Sequence, residues 1–416
     1  MGFALAGIAP ATPSDHGNHF REWIAQGQHG HMQYLAENIP VRLDPKKLLD
    51  GARSIICVAD RYPASMTANR SAHPQPQQHH VVDSHTGKTP PQTDTPRGRI
   101  ARYAWADDYH RTIKKRLFEL VDALGNRFPE HQFRVAVDTS PVMEREHAAR
   151  AGLGWTGKHT LLIHPDHGSW VLLGVIVTTL HLQSSQEAGY PGPLAAPTDH
   201  CGSCTRCIDA CPTSCITPYS IDARRCISYL TLEHRGPIDP TLHRAMGNWI
   251  AGCDVCQEVC PFNQPTERAG VTGSRPAGLA TPGDTIDPVN HPPRIPSSEF
   301  HTPPDPPPPF HPAYTPRPPA PDLELQQVIG WKAPDRQEAF SRSALKRIKL
   351  DMIRRNALIA VGNHLARHDN LDLRQRIRKL AENPLEPSLV QLTAQQVLAS
   401  LGSETAGDPV DPESGE

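Results

Sequence analysis

The sequence predicts a mixed α+β protein in three parts, and three observations predict it. Strand-like and helix-like apolar patterns alternate up to about residue 190, as a sheet covered by helices reads. Eight cysteines follow as Cys201, Cys204, Cys207, Cys211, Cys226, Cys253, Cys256 and Cys260, a spacing that belongs to two-cluster iron–sulfur modules. From Leu323 to Leu401 helical periodicity takes over, so the chain closes on an α-helical segment.

The first 50 residues hold short helical patterns at Asn18–Gln26, Met32–Asn38 and Pro45–Leu49. Ser54–Asp60 is a continuous apolar run and predicts a buried strand with Cys57 as a core thiol. Residues 63–99 are rich in Pro, His, Gln, Thr and Ser, which predicts a flexible insertion. Its His79-His80 pair belongs to an exposed polar loop rather than to a metal site. A helix is expected over Arg111–Arg127, with Ile113, Leu117, Leu120, Val121 and Leu124 on one face. Phe133–Val137 reads as a strand. Asp138-Thr-Ser-Pro141 ends it and starts a helix, with Ser140 as N-cap and Pro141 in the first helical position. Gly152-Leu-Gly-Trp155-Thr-Gly157-Lys158 is a glycine-rich turn. Strands over Thr160–Ile163 and Trp170–Thr178 are expected to form a hairpin around Asp166-His-Gly168.

The cysteine block opens as C-x2-C-x2-C-x3-C-P and closes as C-x2-C-x3-C-P. In the bacterial ferredoxin pattern the cysteine before the proline serves the other cluster. The crossed assignment gives Cys201, Cys204, Cys207 and Cys260 to one [4Fe–4S] cluster. Cys211, Cys226, Cys253 and Cys256 then hold the second, with Cys226 replacing the first cysteine of the closing motif. Zinc would not call for eight thiolates with two Cys-Pro endings, and a disulfide framework does not suit a long chain without a signal peptide. Cys215 lies outside the pattern as a bystander.

The 44 prolines are about double the usual share of roughly 5%, and their concentration locates the linkers. Residues 264–322 read as a Pro-rich linker and 403–416 as a disordered acidic tail. The parts are thus 1–190, 191–263, the linker, 323–402 and the tail. Net charge is −2, so no global basic field points to nucleic acid. Residues 341–380, however, carry eleven Lys/Arg against three acids, enough for a local grip on a phosphate backbone. On charge alone a solvated helix face explains them as well. No stretch of about 18 apolar residues is present to span a membrane. With no export signal and a thiol-rich module, the cytoplasm is the expected compartment.

Two clusters move electrons but choose no substrate, so the chemistry falls to the N-terminal part. Asp138 at a strand end is the leading candidate, and Asp108-Tyr109-His110 offers a carboxylate, a phenol and an imidazole together. A capping role and an ordinary surface turn are their structural alternatives. No G-x-G-x-x-G or G-x-x-x-x-G-K-[ST] is present, so the reductant is external.

Arg102-Tyr103-Ala-Trp-Ala-Asp-Asp108-Tyr109-His110, Val137-Asp138-Thr-Ser-Pro141-Val-Met-Glu144-Arg145 and Ala151-Gly-Leu-Gly-Trp155-Thr-Gly157-Lys158-His159 form a specific set. With the cysteine block, Asp222-Ala-Arg-Arg-Cys226-Ile-Ser228-Tyr229, Met246-Gly-Asn248 and Arg354-Arg-Asn356 to Gly362-Asn363, the chain resembles the epoxyqueuosine reductases. These are cobalamin-dependent iron–sulfur enzymes that complete queuosine in tRNA. The resemblance implies an α/β-like N-terminal cobalamin-binding domain, a ferredoxin-like two-cluster domain and C-terminal HEAT-like helices. It implies base-off cobalamin between the first two, with Trp155, Gly157, Lys158, His159, Ser228 and Tyr229 as contacts. Asp138 would be the proton donor, its pKa raised by burial, with Tyr109, His110 and Arg145 lining the pocket. The basic helices of 341–380 would hold the anticodon stem-loop of a tRNA with a GUN anticodon, and a flavodoxin or ferredoxin system would supply electrons. Family members usually carry a further helix before Gly2, which points to a misplaced or truncated start, and the two low-complexity insertions are not typical. A reductive dehalogenase and a non-catalytic electron-transfer or tRNA-binding module are the alternatives. The first lacks its twin-arginine signal here, and the second would have no use for the Asp138, Tyr109, His110 and Arg145 set.

Overall fold

The computed structural model describes residues 2–63, 95–188, 200–264, 310–318 and 320–403. Most of the expected insertion and linker, the His79-His80 pair and the acidic tail lie outside these residues.

The chain opens with β1 (Leu5–Pro10), then α1 (Gly17–Ala25), α2 (Gln33–Glu37), α3 (Ile39–Leu43), α4 (Pro45–Leu48) and β2 (Ser54–Arg61). Next come β3 (Arg97–Ile100), α5 (Tyr109–Arg127), β4 (Phe133–Ala136), α6 (Glu144–Arg150), β5 (Trp155–Thr156), β6 (Leu162–Ile163) and β7 (Val171–Thr178). One sheet runs β1-β2-β7-β4, and every pair in it is antiparallel. The first part is therefore α+β.

β2 looks like one apolar run because both of its faces are covered. Ile55, Cys57 and Ala59 pack with Ala148 and Ala151 around α6. Val58 packs with Ile113 and Leu117 of α5 on the other side. Cys57 is fully buried there, as a core thiol should be, and burial pushes its pKa up.

Three expectations are corrected. β1 lies in the stretch read as helical only; its small residues suit close packing, since a Cβ on Gly7 would come within 2.3 Å of the Ala151 carbonyl oxygen. α6 starts at Glu144, with Met143 rather than Ser140 before it and no side-chain cap. The expected Thr160–Trp170 hairpin reduces to one bridge between His164 and Gly168. β6 pairs with β5, and β7 with β2 and β4.

The cysteine block contributes α7 (Arg206–Asp209), β8 (Ile216–Thr217), β9 (Ser220–Ile221), α8 (Ile227–Leu232), α9 (Pro240–Met246), β10 (Trp249–Ala251) and α10 (Val255–Glu258). β11 (Asp322–Glu324), α11 (Leu325–Val328), α12 (Ala333–Phe340), α13 (Leu350–Leu365), α14 (Leu371–Glu382) and α15 (Ser388–Ser403) complete the chain. A second sheet, β10-β3-β11, unites the three parts. Its β3 falls inside the stretch 63–99 and β11 overlaps the end of the linker 264–322, so both boundaries move. Tyr314, also read as linker, is buried and donates to Asp60 Oδ2 at 2.7 Å.

α13 packs on α15, β10 and α9. Its Arg355 donates to the carbonyls of Leu230, His234 and Gly236, and Asn356 to those of Thr231 and Ile250. Asn363 holds His243 and Gly247 in the same way. Arg354 bonds Ile329 O and Glu386. Arg354 and Arg355 are thus buried structural cations and leave the expected basic surface. No helix among the described residues is long and apolar enough to cross a membrane.

Candidate active site and cluster ligands

The edge strand β4 ends at Ala136, and two residues later Asp138 takes a left-handed backbone with φ +52°. Non-glycine residues adopt this seldom, aspartate more readily than most. The turn is held because the Asp138 N–H donates to Glu144 Oε1 at 2.6 Å. That bond, with the bends before it, explains why α6 begins only at Glu144. It leaves the Asp138 carboxylate facing the start of α5.

Asp108 caps α5, its side chain accepting the His110 backbone N–H. The same carboxylate holds His110 Nδ1 at 2.7 Å, while His110 Nε2 lies 2.9 Å from Asp138 Oδ2. The Tyr109 ring stacks on His110 at 4.0 Å, and its hydroxyl bonds Asp138. The Asp138 side chain is 48% exposed, yet surrounding protein strips away much of its solvent.

The protein's own groups act on Asp138 in the direction opposite to that expected of burial beside a corrin. Desolvation works against a charged Asp138, but the bond and charge of His110 outweigh it, and its pKa is held below the ordinary carboxylate value. His110 is opposed by desolvation and raised by Asp108 and Asp138, to about 8. Burial, with the charge of Asp138, pushes Glu144 up to about 8. At neutral pH His110 and Glu144 are therefore the groups that hold protons. Glu144 carries no signal of its own in the sequence beyond its place in a motif.

Arg145 donates to Thr160 O at 2.5 Å and Thr160 Oγ1 at 3.2 Å. Two residues earlier Lys158 donates to the carbonyls of Gly202 and Cys204 in the first cysteine loop. Trp155 lies between His200 and Phe262 and packs by Cys201 and Cys260. Tyr229 accepts from His31 N at 2.7 Å. These three expected cofactor contacts thus have protein partners of their own. Gly157 packs on Ile163, and Ser228 is half-buried. His159 is buried, and its Nε2 makes no hydrogen bond among the described residues. Burial, then Arg145, lowers its pKa to about 4, so it is a neutral imidazole with a nitrogen to offer. The unpartnered Nε2 of His159 would suit a cofactor bearing amide groups, whereas the space at Gly157 is taken by Ile163.

The cysteines of the block lie close enough to shift one another's ionisation. Burial and the charges of Cys201, Cys207 and Cys204 push Cys260 up to about 11. Cys253 is raised by burial and by Cys226 and Cys211, and Cys256 by burial, Cys253 and Cys226. Like thiolates crowded together resist ionisation, and Cys207 raises Cys256 as well, so the two expected sets stand near each other. Among the described residues no His, Cys, Asp or Glu group encloses a single metal ion; the ligands of a cubane bind different irons and stand farther apart. Cys215, read as a bystander, is buried 3.4 Å from Cys211 Sγ. Tyr103 packs near Cys226 and Cys253 and meets Tyr109 edge-on at 6.1 Å, linking the second set to the acid pair.

A family model described as a 4Fe-4S double cluster binding domain matches residues 200–263. Another, described as epoxyqueuosine reductase QueG, DUF1730, matches residues 42–139. The epoxyqueuosine reductase of Synechocystis sp. is 35% identical over 356 residues, covering 84% of this chain and 98% of its own. That of Xanthomonas campestris pv. campestris is 38% identical over 270 residues, covering 64% and 68%. A crystal structure of epoxyqueuosine reductase with an epoxyqueuosine-modified tRNA-Tyr stem loop is similar at TM-score 0.70 and 25% identity, covering 96% of this chain and 87% of that one. A structure from Streptococcus thermophilus gives TM-score 0.67 at 24% identity over 99% and 92%.

Proposed function

The chain belongs to the epoxyqueuosine reductase family, and from that premise we propose how its own residues reduce epoxyqueuosine in tRNA to queuosine. The reaction consumes two electrons and two protons, opens the epoxide to an alkene and releases its oxygen as water. Two [4Fe–4S] clusters, held by Cys201, Cys204, Cys207, Cys260 and by Cys211, Cys226, Cys253, Cys256, deliver electrons singly from a flavodoxin or ferredoxin donor. Cobalamin, when bound, supplies the two-electron chemistry at the substrate carbon. His159 and Ser228 are the residues that would hold it, while Trp155, Gly157, Lys158 and Tyr229 shape its surroundings.

The observation that carries the reading is the Asp138–His110 contact at 2.9 Å, with the Asp138 side chain half-exposed. His110 holds a proton near neutral pH and passes it to Asp138, the group beside the departing oxygen. Tyr109 and Arg145 orient that oxygen with hydroxyl and guanidinium donors. The exposed cations of 341–380 hold the anticodon stem-loop by its backbone. α13 to α15 form the HEAT-like part, and the assignment keeps three units, 1–190, 191–263 and 323–402, with the linker and tail between and after them. Since its substrate is tRNA, the cytoplasm is taken as its compartment. Asp138→Asn tests the acid: it should retain clusters and corrinoid yet lose most turnover, and a fully active variant would exclude Asp138 as donor.

A further inference from the structure

Lys346 lies in the basic stretch, where the expected task is to hold phosphate. Its Nζ is instead 2.7 Å from Asp108 Oδ2, and the turn that carries it is clamped on both sides. Asp108 N donates to Arg342 O at 2.7 Å, and Ser343 Oγ donates to Ala104 O. Arg336 of α12 bonds the carbonyls of Lys346 and Ile348, and Arg342 pairs with Asp107. The side chain is 60% exposed, yet its root is fixed against α5.

We propose that Lys346 is a positioning residue for the proton-donating pair: it fixes the Asp108 carboxylate, which fixes His110 against Asp138. The inference rests on reading Asp138 and His110 as that pair. Asp108 Oδ1 serves His110 while Oδ2 serves Lys346, so both oxygens are needed to set the carboxylate plane. With that plane set, Nδ1 is directed to Asp108 and Nε2 to Asp138. A C-terminal segment expected to engage RNA thereby helps to build the acid of the N-terminal part.

Lys346→Gln and Lys346→Arg in the cluster- and cobalamin-loaded full chain test this. Lys346→Gln should lower kcat about tenfold or more with KM for the tRNA within about twofold, and Lys346→Arg should restore kcat. His110 faces Asp108 and Tyr109 on its own helix, Asp138 and Glu144 beyond β4, and Lys346 and Arg347 from the turn. Removing one cation and leaving Asp108 undivided should raise the alkaline limb of kcat and the His110 midpoint, read by nitrogen-15 histidine NMR against His110→Gln. A raised KM with unchanged kcat and an unmoved midpoint would make Lys346 a phosphate contact and overturn the proposal. Equal iron content and melting temperature exclude misfolding. If the wild type itself converts no substrate, the function reading fails, and the His110 midpoint still decides whether Lys346 positions it.

Discussion

Asp138 stands where a strained backbone, an imidazole and a second carboxyl meet, and its neighbours decide its protonation. His110 is raised from 6.5 to about 8 and Glu144 to about 8. The protonated forms exist below that value, so turnover should fall as pH rises through about 8. His110→Gln should remove most of that limb in a kcat profile. The linkage sign follows: a histidine raised on folding stabilises fully below 6.5 and loses that contribution as pH passes through about 8. Asp138, Tyr109, His110 and Arg145 were legible as a set through the resemblance. The raised pKa expected of Asp138 rested on burial beside a corrin, and the opposing pull of His110 was not legible because that ring comes from another element.

At the scale of elements, periodic segments were read well. Ile113 and Leu117 of α5 are fully buried, and β2 spans the run expected for it. The start of α6 was misread because Ser140-Pro141 carries a helix-start signal, while the bond from Asp138 N–H to the Glu144 side chain holds the chain in bends there. Gly154, in the glycine-rich turn, has φ +149° and lies where a Cβ would stand 2.2 Å from Ile163 O. Gly154→Ala should therefore cost about 2–4 kcal/mol, seen as a lower denaturant midpoint. Asn356→Leu on α13 leaves two buried carbonyls without donors. About 2–4 kcal/mol is expected there too, together with a C-terminal part more open to proteolysis.

Across the whole molecule the three parts interlock instead of following one another on linkers. The β10-β3-β11 sheet takes one strand from each, and Arg355 ties α13 to the cluster domain through buried carbonyls. No local pattern announces such pairing, since β3 and β11 are short and flank low-complexity sequence. The double-cluster block was legible because cluster chemistry fixes cysteine spacing; Cys215, placed against Cys211 by the fold, was not. Cys215→Ala should keep about eight irons per chain, whereas Cys211→Ala should lose one cluster. The central claim is that this chain reduces epoxyqueuosine with its own acid pair. Anaerobically purified protein, reconstituted with iron, sulfide and cobalamin, would be incubated with a strong reductant and tRNA bearing epoxyqueuosine. Mass analysis of the nucleosides should show loss of one oxygen, giving queuosine, in the wild type and little in Asp138→Asn. An unchanged nucleoside from the wild type, with corrinoid and clusters bound, would contradict the account.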